Sequence, residues 1–446
     1  MISFSIALVF MVAMYFIYGK YVDRVFTPDR NRPTPAYTLT DGVDYVPMSN
    51  KRIFLIQFLN IAGLGPIFGA IMGAMYGPVV FLWIVLGTVF GGAVHDYFSG
   101  MISLRTNGKS LPEIIGDQLG WTVKQVMRGF TVLLMILVGV VFVSGPADLL
   151  VKLLDGAVDY RIWVAIIFCY YILATLFPID KVIGRIYPVF GFALLFMAVS
   201  IFVMLLFHAG SMTELTVANF GNRHPDAAKL PLFPMLFITV ACGAISGFHA
   251  TQSPLMARCL KNEADGRKVF FGAMVAEGIV ALIWAAAAMA FFNGLDGFQD
   301  FMKENNNSAA IVVDTIAHGW LGAFGAALAL LGVIAAPLTS ADTAFRSARL
   351  MIADFLNFPQ KKLRSRIIVS IPLFALCTLL LLMSQAHFDV IWRYFAWCNQ
   401  TLAVFTLWAI TVYLAKARKN YYITLVPALF MTAVCTAYIL IAAFNF

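Results

Sequence analysis

The sequence predicts an all-α polytopic membrane protein with about twelve transmembrane helices. Three observations carry this prediction. First, 61% of the 446 residues are hydrophobic and only 12% are charged, with a mean hydropathy of +0.85. Soluble domains carry about 25% charged residues. A water-soluble protein of this length would lack the polar surface to cover itself, and the same composition excludes intrinsic disorder. Second, apolar stretches of spanning length recur along the whole chain, and none shows the even alternation of an outer-membrane strand. Third, the basic residues sort by loop. Of 31 lysines and arginines, all but Lys152, Arg161, Arg223, Lys229, Lys303 and Arg393 fall in the loops after the odd-numbered spans. That is the positive-inside bias, and it places both termini outside the cytoplasm. The formal charge of +8 is therefore an orientation device rather than a nucleic-acid footprint.

In order, the spans are expected near 2–19, 53–76, 78–104, 127–151, 162–177, 186–209, 232–256, 268–293, 319–345, 367–384, 390–414 and 421–444. The first begins Met1-Ile-Ser-Phe-Ser5, with no basic residue and no small-residue cleavage site after it. It is read as an anchor rather than a signal peptide. The loop over 27–52 contains Pro28, Pro33, Pro35 and Pro47 and should be irregular. Residues 110–119 place Leu111, Ile114, Ile115 and Leu119 at helical spacing, as in a short interfacial helix. The six cysteines show no paired spacing and read as small buried hydrophobes. Neither a disulfide framework nor a metal site or cofactor is expected.

The second and seventh spans are interrupted at mid-membrane. The second reads Gln57-Phe-Leu-Asn60-Ile-Ala-Gly63-Leu-Gly65-Pro66. The seventh reads Cys242-Gly243-Ala-Ile-Ser246-Gly247-Phe-His249-Ala-Thr251-Gln252-Ser253-Pro254. Proline removes an amide donor and glycine lets the chain turn, and unwound backbone in lipid is tolerated only where it faces a cavity. The interruptions lie five spans apart, an odd number, so two such units must insert with opposite orientation. The pattern predicts an inverted repeat, residues 53–209 and 232–416, within one transmembrane domain. Spans 1–19 and 421–444 are additions to it. Paired interruptions point to a central transport site, and the half-helix opening at Pro66 would offer amides to an anionic group. A plain structural alternative is that glycine and proline merely kink closely packed helices.

Ionisable groups inside spans are costly and need a cavity, a partner or a proton. His95 and Asp96 lie on the third span, His249 on the seventh, Glu277 on the eighth and Asp342 on the ninth. Pairing of Asp96 with Arg105 or Lys109, and of Asp342 with Arg346, would be purely structural. Thr339 and Ser340 beside Pro337, with carbonyls of the second-span interruption, could form an all-oxygen cation site. These residues leave Na⁺ and H⁺ both open. Candidate substrate contacts are Asn60, Gly63, Gly65, Ser246, His249, Thr251 and Gln252. His95, Asp96, Glu277, Thr339, Ser340 and Asp342 are candidate proton or cation carriers. Asn399 and Gln400 are a further polar contact or interhelical glue.

These stretches resemble the carbon starvation protein A (CstA) family of bacterial inner-membrane transporters. The similarity runs through Thr34–Pro47, Ile61–Pro66, Gly92–Asp96, Ser103–Ser110, Cys242–His249 and Thr339–Arg346. The resemblance implies uptake of pyruvate or small peptides on a leucine-transporter-like (APC-type) fold with a 5+5 inverted repeat. It favours protons over sodium as the coupling ion. Longer members carry additional spans and a distinct C-terminal region, so the similarity is to a short-form member. The expected partners are a small-molecule substrate, a coupling ion and membrane lipid, with no nucleic acid. A passive channel or nutrient sensor is the alternative. An intramembrane enzyme is disfavoured, because neither GxSxG nor HExxH occurs.

Overall fold

The computed structural model describes residues 1–446 except 155, 178, 209, 211, 361 and 446. It leaves undescribed the side chains of 179–186, 383–390 and 442–445. Lys361 and the side chains of Lys181 and Arg185, used above for orientation, lie outside the described residues.

The elements used below are α1 (Ile2–Phe26), α2 (Asn50–Ile61), α3 (Gly65–Ala74), α4 (Val80–Arg105) and α5 (Leu111–Leu119). They continue with α6 (Trp121–Leu153), α7 (Tyr160–Leu176), α8 (Ile179–Phe207), α9 (Leu232–Thr239) and α10 (His249–Ala257). The last are α11 (Glu263–Phe291), α12 (Leu295–Glu304), α13 (Ala309–Leu356), α14 (Leu363–Lys416) and α15 (Tyr422–Asn445). Among the described residues, nine helical segments are long and apolar enough to cross a membrane, two of them (Leu363–Leu382 and Ile391–Lys416) within α14, or ten if α2 and α3 count as one bent span. The other two expected spans fall on α7, an apolar helix of 17 residues, and on the broken pair α9 and α10. The short helix expected over 110–119 is α5. The proline-rich loop after α1 holds one turn of helix, Pro35–Thr38. Of the cysteines, Cys169 departs from expectation, since it is exposed while the other five are buried.

Both interruptions are real, and each follows from its residues. Between α2 and α3 the chain turns by 56° across residues 62–64, and Pro66 stands in the first turn of α3, where its missing amide costs nothing. Between α9 and α10 the chain leaves the helix at Val240 and passes through Gly243 at φ +87°, a conformation that favours glycine. The second interruption is shorter than its sequence suggests, because helix resumes at His249. Thr251, Gln252, Ser253 and Pro254 therefore sit on α10 rather than in unwound chain.

The two interruptions touch. A Cβ added to Gly65 would lie 2.1 Å from the Cβ of Cys242, and one on Gly243 would lie 3.3 Å from the Cα of Pro66. The missing side chains let the unwound segments pack backbone to backbone at the centre. Around them α13 packs on α6 and α8, and α10 on α4. Gly65→Ala is expected to destabilise the purified protein by about 1–3 kcal/mol through overpacking. Gly91→Ala, whose Cβ meets nothing nearer than 3.5 Å, should leave it unchanged. Thermal melting in detergent compares them, and equal melting temperatures would mean that the interruptions do not pack as described.

Candidate functional site

The first polar cluster joins the end of α2 to α13. The Leu59 carbonyl, left without a helical donor by the interruption, accepts from Thr339 Oγ1 at 2.8 Å and Ser340 Oγ at 3.2 Å. Next to it the Tyr187 hydroxyl of α8 lies 3.0 Å from Asn60 Oδ1, 3.0 Å from the Thr339 carbonyl and 3.3 Å from Asp342 Oδ1. Tyr170 of α7 donates to Asp342 Oδ2 at 3.0 Å. Asp342 therefore takes two tyrosine hydroxyls, and the alternative pairing with Arg346 does not form. Arg346 instead reaches Asp44 at 3.2 Å and donates to the carbonyls of Ala174 and Phe177. Asn60 Nδ2 is buried with no hydrogen-bond partner. Gly63 lies beneath, where an added Cβ would stand 2.7 Å from the Phe142 ring and 3.3 Å from Ser340 Oγ.

The second cluster surrounds the other interruption. Asn399 of α14 accepts through Oδ1 from Ser246 Oγ at 3.0 Å and from the Phe248 amide at 2.7 Å. Its carbonyl accepts the Gly247 amide at 3.2 Å, while Gln400 donates to the Phe237 carbonyl. Glu277 of α11 accepts the Gly243 amide at 3.0 Å. An unbroken line of ionisable groups follows. His95 Nδ1 lies 2.7 Å from Asp96 Oδ1, His249 Nδ1 lies 3.0 Å from Asp96 Oδ2, and His249 Nε2 lies 3.4 Å from Glu277 Oε2. All four side chains are fully buried. Asp96 thus pairs with histidines rather than with Arg105 or Lys109, which pair with Glu263 and Asp117. Thr251 donates to the Phe248 carbonyl and accepts from Gln252. Of the amides at the start of α3, those of Ile67 and Phe68 are engaged, both donating to the Leu64 carbonyl.

Towards the basic face, Asp44 forms a buried ion pair with Arg346 and also reaches Arg349 at 3.4 Å. Burial alone would raise the Asp44 carboxyl, but Arg349, Arg346 and Arg258 outweigh it and hold it below the usual carboxylate range. Arg258 donates to the Gly108 carbonyl and lies over the Tyr45 ring. Beside this network opens a cavity of about 770 Å³, lined by residues including Lys109, Arg128, Arg258 and Asp354.

Residues 1–157, 148–319 and 306–438 match the family model described as carbon starvation protein CstA. The chain belongs to the CstA family. It is 44% identical to an uncharacterized membrane protein of Haemophilus influenzae, over 67% of this chain and 94% of that protein. It is 27% identical to the peptide transporter CstA of Campylobacter jejuni, over 94% of this chain and 76% of that one. To the pyruvate/proton symporter BtsT of Escherichia coli K12 it is 29% identical, over 64% of this chain and 48% of that one. Among solved structures it resembles MhsT in complex with L-phenylalanine, with a TM-score of 0.64 at 13% identity, over 90% of this chain and 99% of MhsT. That likeness is one of fold. The chain is a multi-pass membrane transporter of leucine-transporter-like fold, acting on a small molecule, and the family is one of transporters rather than enzymes.

Every candidate residue of this CstA-family chain lies in the buried centre, but in two clusters. Asn60, Gly63, Thr339, Ser340 and Asp342 gather at the first interruption. His95, Asp96, Ser246, His249, Thr251, Gln252 and Glu277 gather at the second, and Gly65 stands between them against Cys242. Sequence reasoning missed Tyr170, Tyr187 and Asp44. Two tyrosines in apolar helices and one aspartate in a loop carry no local signal.

Asp44→Asn leaves Arg346 and Arg349 buried without their carboxylate and should cost about 3–5 kcal/mol near pH 7. Because the folded carboxyl titrates below its unfolded value of about 3.9, the stabilisation is present above about pH 5 and is lost as pH falls below about 4. Melting temperatures of the wild type and Asp44→Asn should therefore converge in acid. A gap that is constant with pH would contradict the pairing.

Proposed function

We propose that the chain is a bacterial inner-membrane symporter that imports a small carboxylate of the pyruvate class, or a short peptide, by alternating access. A proton is favoured over sodium as the coupling ion. The observation that carries this reading is Asp342, a fully buried carboxyl on α13 held by two tyrosine hydroxyls and linked through Tyr187 to Asn60 at the first interruption. A carboxyl so placed can take up or release a proton as the interruption moves. The relatives that carry pyruvate with protons, or peptides, support the substrate classes.

In this reading Asn60, Gly63 and Gly65 form one wall of the substrate site and Ser246, His249, Thr251 and Gln252 the other. The unpartnered amide of Asn60 is the group offered to substrate on the first wall, and the imidazole of His249, which faces Asp96 and Glu277, stands on the second. Asp342, with Thr339 and Ser340, is the coupling site. His95, Asp96 and Glu277 fix His249 in place rather than carry the ion, because their side chains bond to one another, to His249 and to the Gly243 amide. The chain is one domain, with repeats over 53–209 and 232–416 flanked by the added helices 1–19 and 421–444. Both termini lie on the periplasmic side in this reading, which the distribution of basic residues supports.

The test is uptake of labelled pyruvate and of a labelled dipeptide into proteoliposomes, with and without an inward proton gradient. One proton per monocarboxylate gives up to about tenfold accumulation per pH unit. Asp342→Asn should abolish accumulation while the protein remains folded. Gradient-driven accumulation by that variant would remove Asp342 from the mechanism. Accumulation under sodium alone would make the Leu59 carbonyl, Thr339 and Ser340 a sodium site.

A further inference from the structure

Cys242 belongs to the unwound segment, His249 opens α10 and Glu277 lies midway along α11. Their ligand atoms nevertheless lie within 4.8 Å of one another, all buried. His249 Nε2 and Glu277 Oε2 face each other at 3.4 Å, and neither completes a hydrogen bond there or elsewhere. The other ring nitrogen of His249 faces Asp96 at 3.0 Å, and Asp96 is held in turn by His95. Metal-binding imidazoles almost always give their remaining N–H to a carboxylate in this way, which fixes the tautomer. With the N–H given to Asp96, the Nε2 lone pair faces a carboxylate oxygen, and a cation between them satisfies both.

We infer that Cys242, His249 and Glu277 form an inhibitory binding site for a transition-metal dication of the zinc class. Thiolate, imidazole and carboxylate together suit a borderline-soft ion, whereas Mg²⁺ and Ca²⁺ prefer oxygen alone. The thiolate and carboxylate also cancel the charge of a dication. Metal–ligand bonds of about 2.0–2.3 Å place tetrahedral ligand atoms roughly 3.3–3.8 Å apart, so the widest separation must close by about 1 Å. Rotation of the Cys242 side chain, whose Sγ now makes only long contacts to Ser246 Oγ at 3.5 Å and Asn399 Nδ2 at 3.7 Å, would supply that closure. An ion bound there ties the interruption to α11 and takes His249 away from substrate, so occupancy arrests transport. The arrest rests on the transport site proposed above, but the binding does not.

The test uses the full-length protein in a Cys169→Ser background, titrated with Co²⁺ as a spectroscopic probe and Zn²⁺ as competitor. The expected result is one Co²⁺ per chain with thiolate-to-cobalt charge-transfer absorption, displaced by Zn²⁺. The absorption should be absent in Cys242→Ser, and binding should be at least tenfold weaker in Glu277→Gln. Zn²⁺ should raise the melting temperature of the parent protein but not of Cys242→Ser. Charge-transfer absorption that never forms, or that persists in Cys242→Ser, overturns the site. If that variant does not fold, unchanged binding by Glu277→Gln does so. In proteoliposomes Zn²⁺ should block uptake by the parent protein. Where neither substrate is transported, the cobalt spectrum still decides the binding.

Discussion

Unwound backbone inside a membrane has no water to satisfy its amides and carbonyls, and each group left bare costs several kcal/mol. Several polar side chains at the centre of this protein answer to that constraint. Thr339 and Ser340 serve the Leu59 carbonyl, Glu277 serves the Gly243 amide, and Asn399 serves Phe248 and Gly247. The supporting helices therefore cannot be chosen independently of the interruptions. α13 must lie against the end of α2, while α11 and α14 must flank the chain between α9 and α10. Contact of Gly65 with Cys242 then brings the two interruptions together, so one arrangement satisfies both.

The buried charges obey a related rule. A lone ion in this interior would be prohibitive, so the ionisable groups occur in closed sets. His95, Asp96, His249 and Glu277 form one line, and Asp342 with its two tyrosines forms another. Asp44 with Arg346 and Arg349 forms a third, between the loop after α1 and the C-terminal part of α13. α13 connects the last two, because Arg346 stands one turn beyond Asp342 yet points to the loop after α1. A shift of α13 relative to that loop would disturb the Asp342 carboxyl and the ion pair together. This is the kind of linkage that alternating access needs.

The likeness to MhsT extends over almost the whole chain at 13% identity, so the fold survives where side chains do not. A frame of interrupted helices prescribes where unwound backbone will lie. It does not prescribe which side chains meet it. The histidine–carboxylate line and the tyrosine-bound Asp342 are built from this chain's own residues.

The sequence by itself determined the class, the spans and both interruptions, because each depends on local chemistry. Apolar length sets a span, and Gly63-Leu-Gly65-Pro66 or Cys242-Gly243 breaks one wherever it sits. The polar residues of the centre were legible for the same reason, since an ionisable group in an apolar run stands out. Their partners were not. Along the chain Asp96 is nearest in kind to Arg105 and Asp342 to Arg346, yet the fold gives Asp96 to His249, 153 residues away, and Asp342 to Tyr170, 172 residues away. Cys242, His249 and Glu277 likewise share no spacing that marks a metal site. Which groups meet depends on how five or more helices pack around two unwound segments, and that is a property of the tertiary structure alone.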